Sequence, residues 1–175
     1  MKIPVATAFL LLASTSAFAQ EKASTANGSV QGITAVYNIA KANILKAAEQ
    51  VPEDKYGFQP TKDVRTMGAL FAHIADAQNF FCSQVSASPN QYSDAVEKTA
   101  KSKAELVAAL KASFAKCDAA YAALTDADLT KPLNIFGNEA NYAGALTLNA
   151  SHDWEHYGNI VTYMRINGMV PPSSQ

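Results

Sequence analysis

Two histidines, His152 and His156, lie four residues apart in the segment HDWEHYGNIVTYMR. At this spacing two side chains share one face of an α-helix with Cβ atoms about 5–6 Å apart, so both imidazoles can bind one ion. The third histidine of the chain, His73, falls on the apolar face of another predicted helix. Buried neutral imidazoles otherwise need hydrogen-bond partners of their own. The three histidines therefore predict one divalent metal site, with packing or surface histidines as the simpler alternative.

Glu155 completes the pattern H-x-x-E-H, which inverted zinc proteases use with the glutamate as general base. That mechanism usually takes a third ligand from a downstream acidic residue, but no Asp, Glu or His follows His156. On a helical wheel, Asp153 and Glu155 also lie equally far, roughly 80°, from the axis between the two histidines. We interpret Glu155 as a solvated charge beside the site, and we do not expect a protease.

Three neutral histidines leave one open position on tetrahedral zinc, or three on an octahedral ion such as nickel, iron or manganese. Imidazole suits all of these metals, so the ligand type does not select one. An open position can lower the pKa of bound water, polarise a carbonyl, or bind a thiolate. The site is therefore suited to hydrolysis or group transfer on a small-molecule substrate.

Several polar residues near the predicted ligands are candidates for supporting roles. Asn149 and Asn159 lie on the metal face of the last helix, one turn to each side, and Tyr163 can supply a hydroxyl. These three are expected to bind substrate. For the two asparagines a packing polar pair is an equally good interpretation, and for Tyr163 a core aromatic with a satisfied hydroxyl is the better one. Asp76 and Asp153 are close in sequence to ligands, and they are expected to orient the imidazole rings.

Apolar residues recur at helical spacing in four segments that carry these side chains. Pro52 ends the first helix, and Thr66 can cap the second. Ser102 and Glu105 form a capping box for the third, and Gly168 stops the last. Four amphipathic helices in one small domain predict an all-α four-helix bundle. The segments 87–101 and 125–140 are expected to be irregular connections, and we find no strands.

The N-terminal segment MKIPVATAFLLLASTSAFAQ has the features of a secretory signal. Lys2 precedes an apolar run that is too short to span a bilayer, which needs about 20 residues, and Ala17-Phe18-Ala19 is a small-x-small cleavage site. We expect residues 1–19 to be a signal peptide cut after Ala19, 20–32 a flexible tail, and 33–175 the bundle. The mature protein is then periplasmic or secreted, with no membrane attachment after cleavage.

The charge balance limits the classes of partner. The formal net charge is −1 for the whole chain, and one unit lower once Lys2 is removed. A chain without a basic cluster has no electrostatic footprint for nucleic acid, so none is expected as a partner. Trp154 points away from the metal face, where it can pack against a neighbouring helix or a second subunit, and a homodimer is left open.

The segments TMGALFAHIADAQNFF and HDWEHYGNIVTYMRINGMVPP, with His73, His152 and His156, resemble the DinB superfamily over essentially the whole mature chain. The resemblance implies a bundle of up-down-down-up order whose three histidines hold a divalent metal. Relatives include thiol-dependent transferases and isomerases that use bacillithiol or mycothiol, thiols not expected in quantity outside the cytoplasm. The expected function is a metal-dependent hydrolase or transferase of unspecified substrate. The alternative is a non-catalytic bundle that binds a metal or small ligand around a structural ion.

The two cysteines, Cys82 and Cys117, can pair in an oxidising compartment. At 1.5 Å per residue, Cys82 lies about 24 Å past Thr66 and Cys117 about 22 Å past Ser102. A bridge is reachable if their helices run parallel, whereas antiparallel helices would separate the sulfurs by roughly 16 Å in height. The order implied by the resemblance makes the helices parallel and so predicts a disulfide. Two unrelated buried thiols are the alternative.

Overall fold

The computed structural model describes residues 28–175, so the expected signal peptide and most of the expected tail lie outside the described residues. Four long α-helices and one short one make up most of this part of the chain, and a two-stranded antiparallel hairpin precedes the last helix. In chain order the elements are α1 Ser29–Gln50, α2 Met67–Gln84, α3 Ala95–Thr99, α4 Lys103–Ala122, β1 Pro132–Ile135, β2 Asn138–Asn141 and α5 Tyr142–Ile166. Within residues 28–175 no helix is both long and apolar enough to cross a membrane.

Contacts at one end of the bundle give the directions of the four long helices. The last residue of α1, Gln50, donates to the carbonyl of Val170 just after α5 (2.9 Å), so α1 and α5 run parallel. Tyr163, near the end of α5, donates to the carbonyl of Arg65 just before α2 (3.0 Å), so α2 is antiparallel to α5. Lys103, which begins α4, donates to carbonyls at the end of α1. The order is therefore up-down-down-up, as predicted.

The disulfide predicted between Cys82 and Cys117 is present, with the two Cα atoms 5.2 Å apart. Cys82 lies in the last turn of α2, and Cys117 lies five residues before the end of α4. Both residues are thus at similar heights on helices that run in the same direction. The bridge joins α2 to α4 across the core, and both cysteines are buried.

Side-chain caps explain where the helices begin. Thr66 accepts a hydrogen bond from the backbone N–H of Ala69 at the start of α2, and Ser102 with Glu105 forms the predicted capping box of α4. α1 starts at Ser29 rather than at residue 33, because the carboxylate of Asp126 accepts from two backbone N–H groups of its first turn, both at 2.9 Å. Residues 29–32 therefore belong to the bundle rather than to a tail.

The prediction that 125–140 contains no strand is wrong. β1 and β2 pair from Pro132↔Asn141 to Ile135↔Asn138, which leaves a loop of Phe136 and Gly137. Both loop residues have positive φ, 52° and 83°, as the first and second positions of a type I′ turn require. Gly137 is usual in such a turn but phenylalanine is not, so the sequence lacked the Asn-Gly signal that indicates this hairpin.

The core lies between the four long helices, where it also encloses several polar side chains. Its largest fully buried members come from every long helix: Tyr37, Ile44, Met67, Phe71, Ile74, Leu110, Phe114, Leu146, Ile160 and Met164. The histidines lie at the edge of this core, where α2 and α5 face each other. The bundle thereby supplies two rigid, antiparallel helices on which the site is built.

Candidate metal centre

The three predicted ligands converge. His73 projects from α2, and His152 and His156 project from α5. The Nε2 atom of His152 lies 3.1 Å from Nε2 of His73 and 3.1 Å from Nε2 of His156. Nitrogen ligands about 2.05 Å from one ion would be about 3.3 Å apart in a tetrahedral site and about 2.9 Å apart at right angles. The observed spacing fits either arrangement.

The donor set is also suited to a cation. One ring nitrogen offers either a proton or a lone pair, so Nε2 of His152 cannot both donate to one neighbour and accept from the other. Burial lowers the pKa of His73 to about 4, of His152 to about 3 and of His156 to about 4. The charge of Arg65 adds to the effect on all three rings, and neighbouring imidazoles add to it at His152 and His156. The rings are therefore neutral at pH 7, the form in which imidazole binds metal.

The centre is partly accessible from solvent. His156 is buried, whereas His73 and His152 are each half-buried. The ring of Phe81 packs edge-on against His152, with centroids 5.7 Å apart. Glu155 is exposed, which agrees with its interpretation as a solvated charge beside the site. A bound ion would thus be shielded on one side and reachable on another.

The family model of the DinB superfamily matches residues 37–160, most of the described chain and all three histidines. The chain belongs to the DinB superfamily. No curated protein sequence matches it, so this membership rests on the family model and the fold.

Solved structures show the same fold. A DinB-like protein from Bacillus cereus aligns with a TM-score of 0.69 and 19% identity, over 81% of this chain and 95% of that one. A DinB-like protein from Bacillus subtilis gives 0.65 and 20%, over 82% and 98%. A mutant of mycothiol-dependent maleylpyruvate isomerase gives 0.62 and 13%, over 75% and 60%. At these identities the similarity establishes the bundle and leaves the reaction open.

Tyr92 is a residue of this DinB site that the sequence analysis missed. Its hydroxyl lies 3.2 Å from Nδ1 of His73. With an ion bound at Nε2 of His73, Nδ1 would carry the proton and donate it to the Tyr92 oxygen, which would orient the ring. Burial raises the pKa of the Tyr92 hydroxyl, so the group remains protonated at neutral pH. Tyr92 lies in the irregular segment before α3, where no periodicity indicates which way a side chain points.

The two carboxylates expected to orient imidazoles have other partners. Asp76 accepts from the backbone N–H groups of Val96 and Glu97, at 2.9 and 3.0 Å, and so caps α3. Asp153 is fully buried and accepts from the side-chain amide of Gln78. Burial raises the pKa of Asp153 to about 8. Asp153 follows His152 by one residue, which turns it about 100° around α5 and away from the rings.

The structure does not assemble the expected substrate-binding trio at the centre. Asn149 is buried and donates to the hydroxyl of Tyr121 on α4 (3.3 Å), the packing pair that was its alternative interpretation. Tyr163 is held by its hydrogen bond to Arg65 and is also a packing residue. Asn159 is exposed on α5. Groups around the centre must instead come from the segments that cover α2.

Those covering groups are mainly aromatic. Phe80 and Phe81 at the end of α2, Tyr92 before α3 and Phe136 at the hairpin tip form a connected set, called here the aromatic cluster. Two of its members touch the histidines: Tyr92 contacts His73, and Phe81 contacts His152. Trp154 is separate from this cluster and donates to the carbonyl of Val36 on α1, so it packs against a neighbouring helix.

Proposed function

We propose that this DinB superfamily protein is an exported, metal-dependent hydrolase or transferase that acts on a small molecule. His73, His152 and His156 hold one divalent ion, which would be zinc, nickel, iron or manganese. The observation that carries the proposal is the convergence of three neutral imidazoles on a partly accessible point, where Nε2 of His152 lies 3.1 Å from Nε2 of each of the other two. When bound, the ion would activate a water molecule, a carbonyl or a thiolate.

The ligand count favours catalysis over a structural role. Structural zinc sites almost always have four protein ligands, whereas catalytic sites keep a position open. Within residues 28–175, no further His, Cys, Asp or Glu side chain joins the three histidines. The bundle is also already braced by the Cys82–Cys117 disulfide between α2 and α4. A metal at the edge of the core would therefore add little to the stability of the fold.

The residues of the chain itself have separable roles in this proposal. Tyr92 orients His73 and keeps its own proton close to the site at neutral pH. Phe81 packs against His152 and excludes water from one side of that ring. The alternative function is a non-catalytic binder of a metal or small ligand around a structural ion.

The metal content of the purified native protein tests the ligand set. We expect one divalent ion per chain, and each single His→Ala variant should lower metal affinity by more than about 100-fold, since loss of an outer residue alone typically costs 10–100-fold. Asn159→Ala is the matched control, because it changes an exposed α5 side chain one turn from His156. Full occupancy in the His73→Ala protein would exclude the three-histidine site.

The open coordination position is tested with cobalt in place of the native metal. Absorption spectra of the Co²⁺ protein should respond to acetohydroxamate, a small chelator of metals with exchangeable ligands, and to 2-mercaptoethanol if a thiolate can bind. A spectrum that neither compound alters would identify a closed structural ion. Export is tested separately, by sequencing the N-terminus of the secreted or periplasmic protein, which we expect to be Gln20.

A further inference from the structure

Gln78 on α2 and Asp153 on α5 form a polar pair inside the core, between the two helices that carry the histidines. The side-chain amide of Gln78 donates to both carboxylate oxygens of Asp153, at 2.5 and 2.6 Å, and both side chains are fully buried. No lysine or arginine of residues 28–175 forms an ion pair with Asp153. Apolar side chains of similar volume at two such positions are often as stable or more stable. Core stability therefore does not explain the pair.

The pair is a direct link between the two ligand-bearing helices. Apart from the contact between His73 and His152, it is the only side-chain hydrogen bond that joins α2 to α5 among the described residues. Side chains lean towards the N-terminus of their own helix, so on these antiparallel helices Gln78 and Asp153 lean towards each other. Gln78 follows His73 by five residues, about 7.5 Å along α2, and Asp153 follows His152 directly. The bond thus fixes the register of α2 against α5 close to the ligands.

The three ligands do not depend equally on this register. His152 and His156 lie on the same helix, so their spacing is set locally. His73 is the one ligand from α2, and its distance to the other two depends on where α2 lies along α5. Metal–nitrogen bonds are about 2.0–2.1 Å long with a tolerance of about 0.2 Å, whereas a slip of one residue moves a helix by about 1.5 Å. A small shift of α2 would therefore remove His73 from the ion.

The Cys82–Cys117 disulfide does not supply this constraint. It joins α2 to α4, and α4 carries none of the three histidines. The amide oxygen of Gln78 lies beside Sγ of Cys117, which leaves the amide nitrogen for Asp153. Apolar contacts between packed helices permit small sliding movements. A buried hydrogen bond opposes them, because it has a preferred length and direction.

We propose that Gln78 and Asp153 are positioning residues of the metal centre, which hold α2 at the register on α5 where His73 becomes the third ligand. The proposal rests on the proposed function, because it requires the three histidines to hold one ion. It accounts for a polar pair at a place where apolar residues would suffice for folding. Without the pair, the bundle folds and binds metal chiefly through His152 and His156.

A double-mutant cycle on zinc affinity tests whether the pair acts through His73. Gln78→Met/Asp153→Leu replaces the pair with apolar side chains, and competition with a chromophoric chelator measures the affinity for Zn²⁺. The replacement should lower this affinity by about 10–100-fold. His73→Ala should cost more than about 100-fold in the parent but at most about tenfold in the apolar-pair protein, because the two changes remove the same contact. Thermal unfolding of the metal-free proteins verifies that each variant is folded.

Three further variants separate positioning from general stability. Asp153→Asn keeps an oxygen that accepts from Gln78, so it should retain zinc affinity to within about threefold. Gln78→Asn keeps an amide in the core but shortens it by one methylene, and it should weaken the effect of His73→Ala even if the apolar pair does not fold. Tyr121→Phe is the matched control. It breaks another buried polar pair of α5, Tyr121–Asn149, which leads to α4, and it should leave the effect of His73→Ala at its full size.

The outcomes distinguish this proposal from the ligand set on which it rests. If His73→Ala costs the same factor in the parent and in the folded Gln78 variants, the pair has no positioning role and the three-histidine site stands. The same conclusion follows if Tyr121→Phe reduces the effect of His73→Ala as much as the Gln78 variants do. If His73→Ala leaves the zinc affinity of the parent unchanged, the ligand set is wrong and the positioning role is wrong with it.

Discussion

Breaking the Cys82–Cys117 disulfide should destabilise the protein by a large and calculable amount. The bridge closes a loop of 35 residues. In the chain-entropy model, opening a loop of this length returns about 13 cal/mol/K to the unfolded chain, which is about 3.8 kcal/mol at 25 °C. The folded state should change little, because both cysteines are buried and their Cα atoms are held 5.2 Å apart by two packed helices.

This loss is a large fraction of the free energy of unfolding, which is typically about 5–15 kcal/mol for a folded domain. Urea unfolding followed by circular dichroism, with and without a reductant, measures the difference in free energy of unfolding. The urea dependence should also steepen on reduction, because an unbridged unfolded chain exposes more surface.

The double variant Cys82→Ala/Cys117→Ala provides the control, because its unfolding should not respond to the reductant. Counting thiols in the denatured protein verifies that the bridge is present before, and absent after, reduction. A loss below about 1 kcal/mol in fully reduced protein would refute the assignment of the stabilisation to unfolded-chain entropy. Residual contacts between the two helical segments in the unfolded state would then be the explanation to pursue.

Three further predictions concern the helix cap, the histidines and Glu155. Asp126→Ala should lower the free energy of unfolding by about 1–2 kcal/mol, because α1 loses both hydrogen bonds to its first turn, and Asp126→Asn should lose less. The metal-free protein should lose stability as the pH falls from about 6.5 towards 4. The folded-state pKa of each histidine is lowered by burial, so the unfolded chain binds more protons in this window, and pH-dependent thermal unfolding measures the loss. Glu155→Gln should leave metal content unchanged, and the parent should not cleave an unstructured peptide; metal-dependent cleavage would restore the protease interpretation.

The sequence determined the helices and the candidate ligands, because both depend on local signals. Apolar periodicity and the caps at Thr66 and Ser102 specify helices from neighbouring residues alone. The chain has only three histidines. His152 and His156 form a pair at helical spacing, and His73 lies on the inward face of another helix, so these three were the only candidates for imidazole ligands. The disulfide required one further fact, the relative direction of α2 and α4, which came from the resemblance and not from the spacing of the cysteines.

Only the tertiary structure decided which distant groups meet. Periodicity shows which face of a helix is buried, but it does not show what lies opposite. Asp76 and Asp153 were expected to orient the imidazoles and Asn149 to face the metal, yet α3, Gln78 and α4 took up their hydrogen bonds. Tyr92 and Phe136 come from segments without helical periodicity, and their positions depend on how a connection and a hairpin pack over the end of α2. Such packing is set by contacts between residues far apart in the chain, which no local pattern encodes.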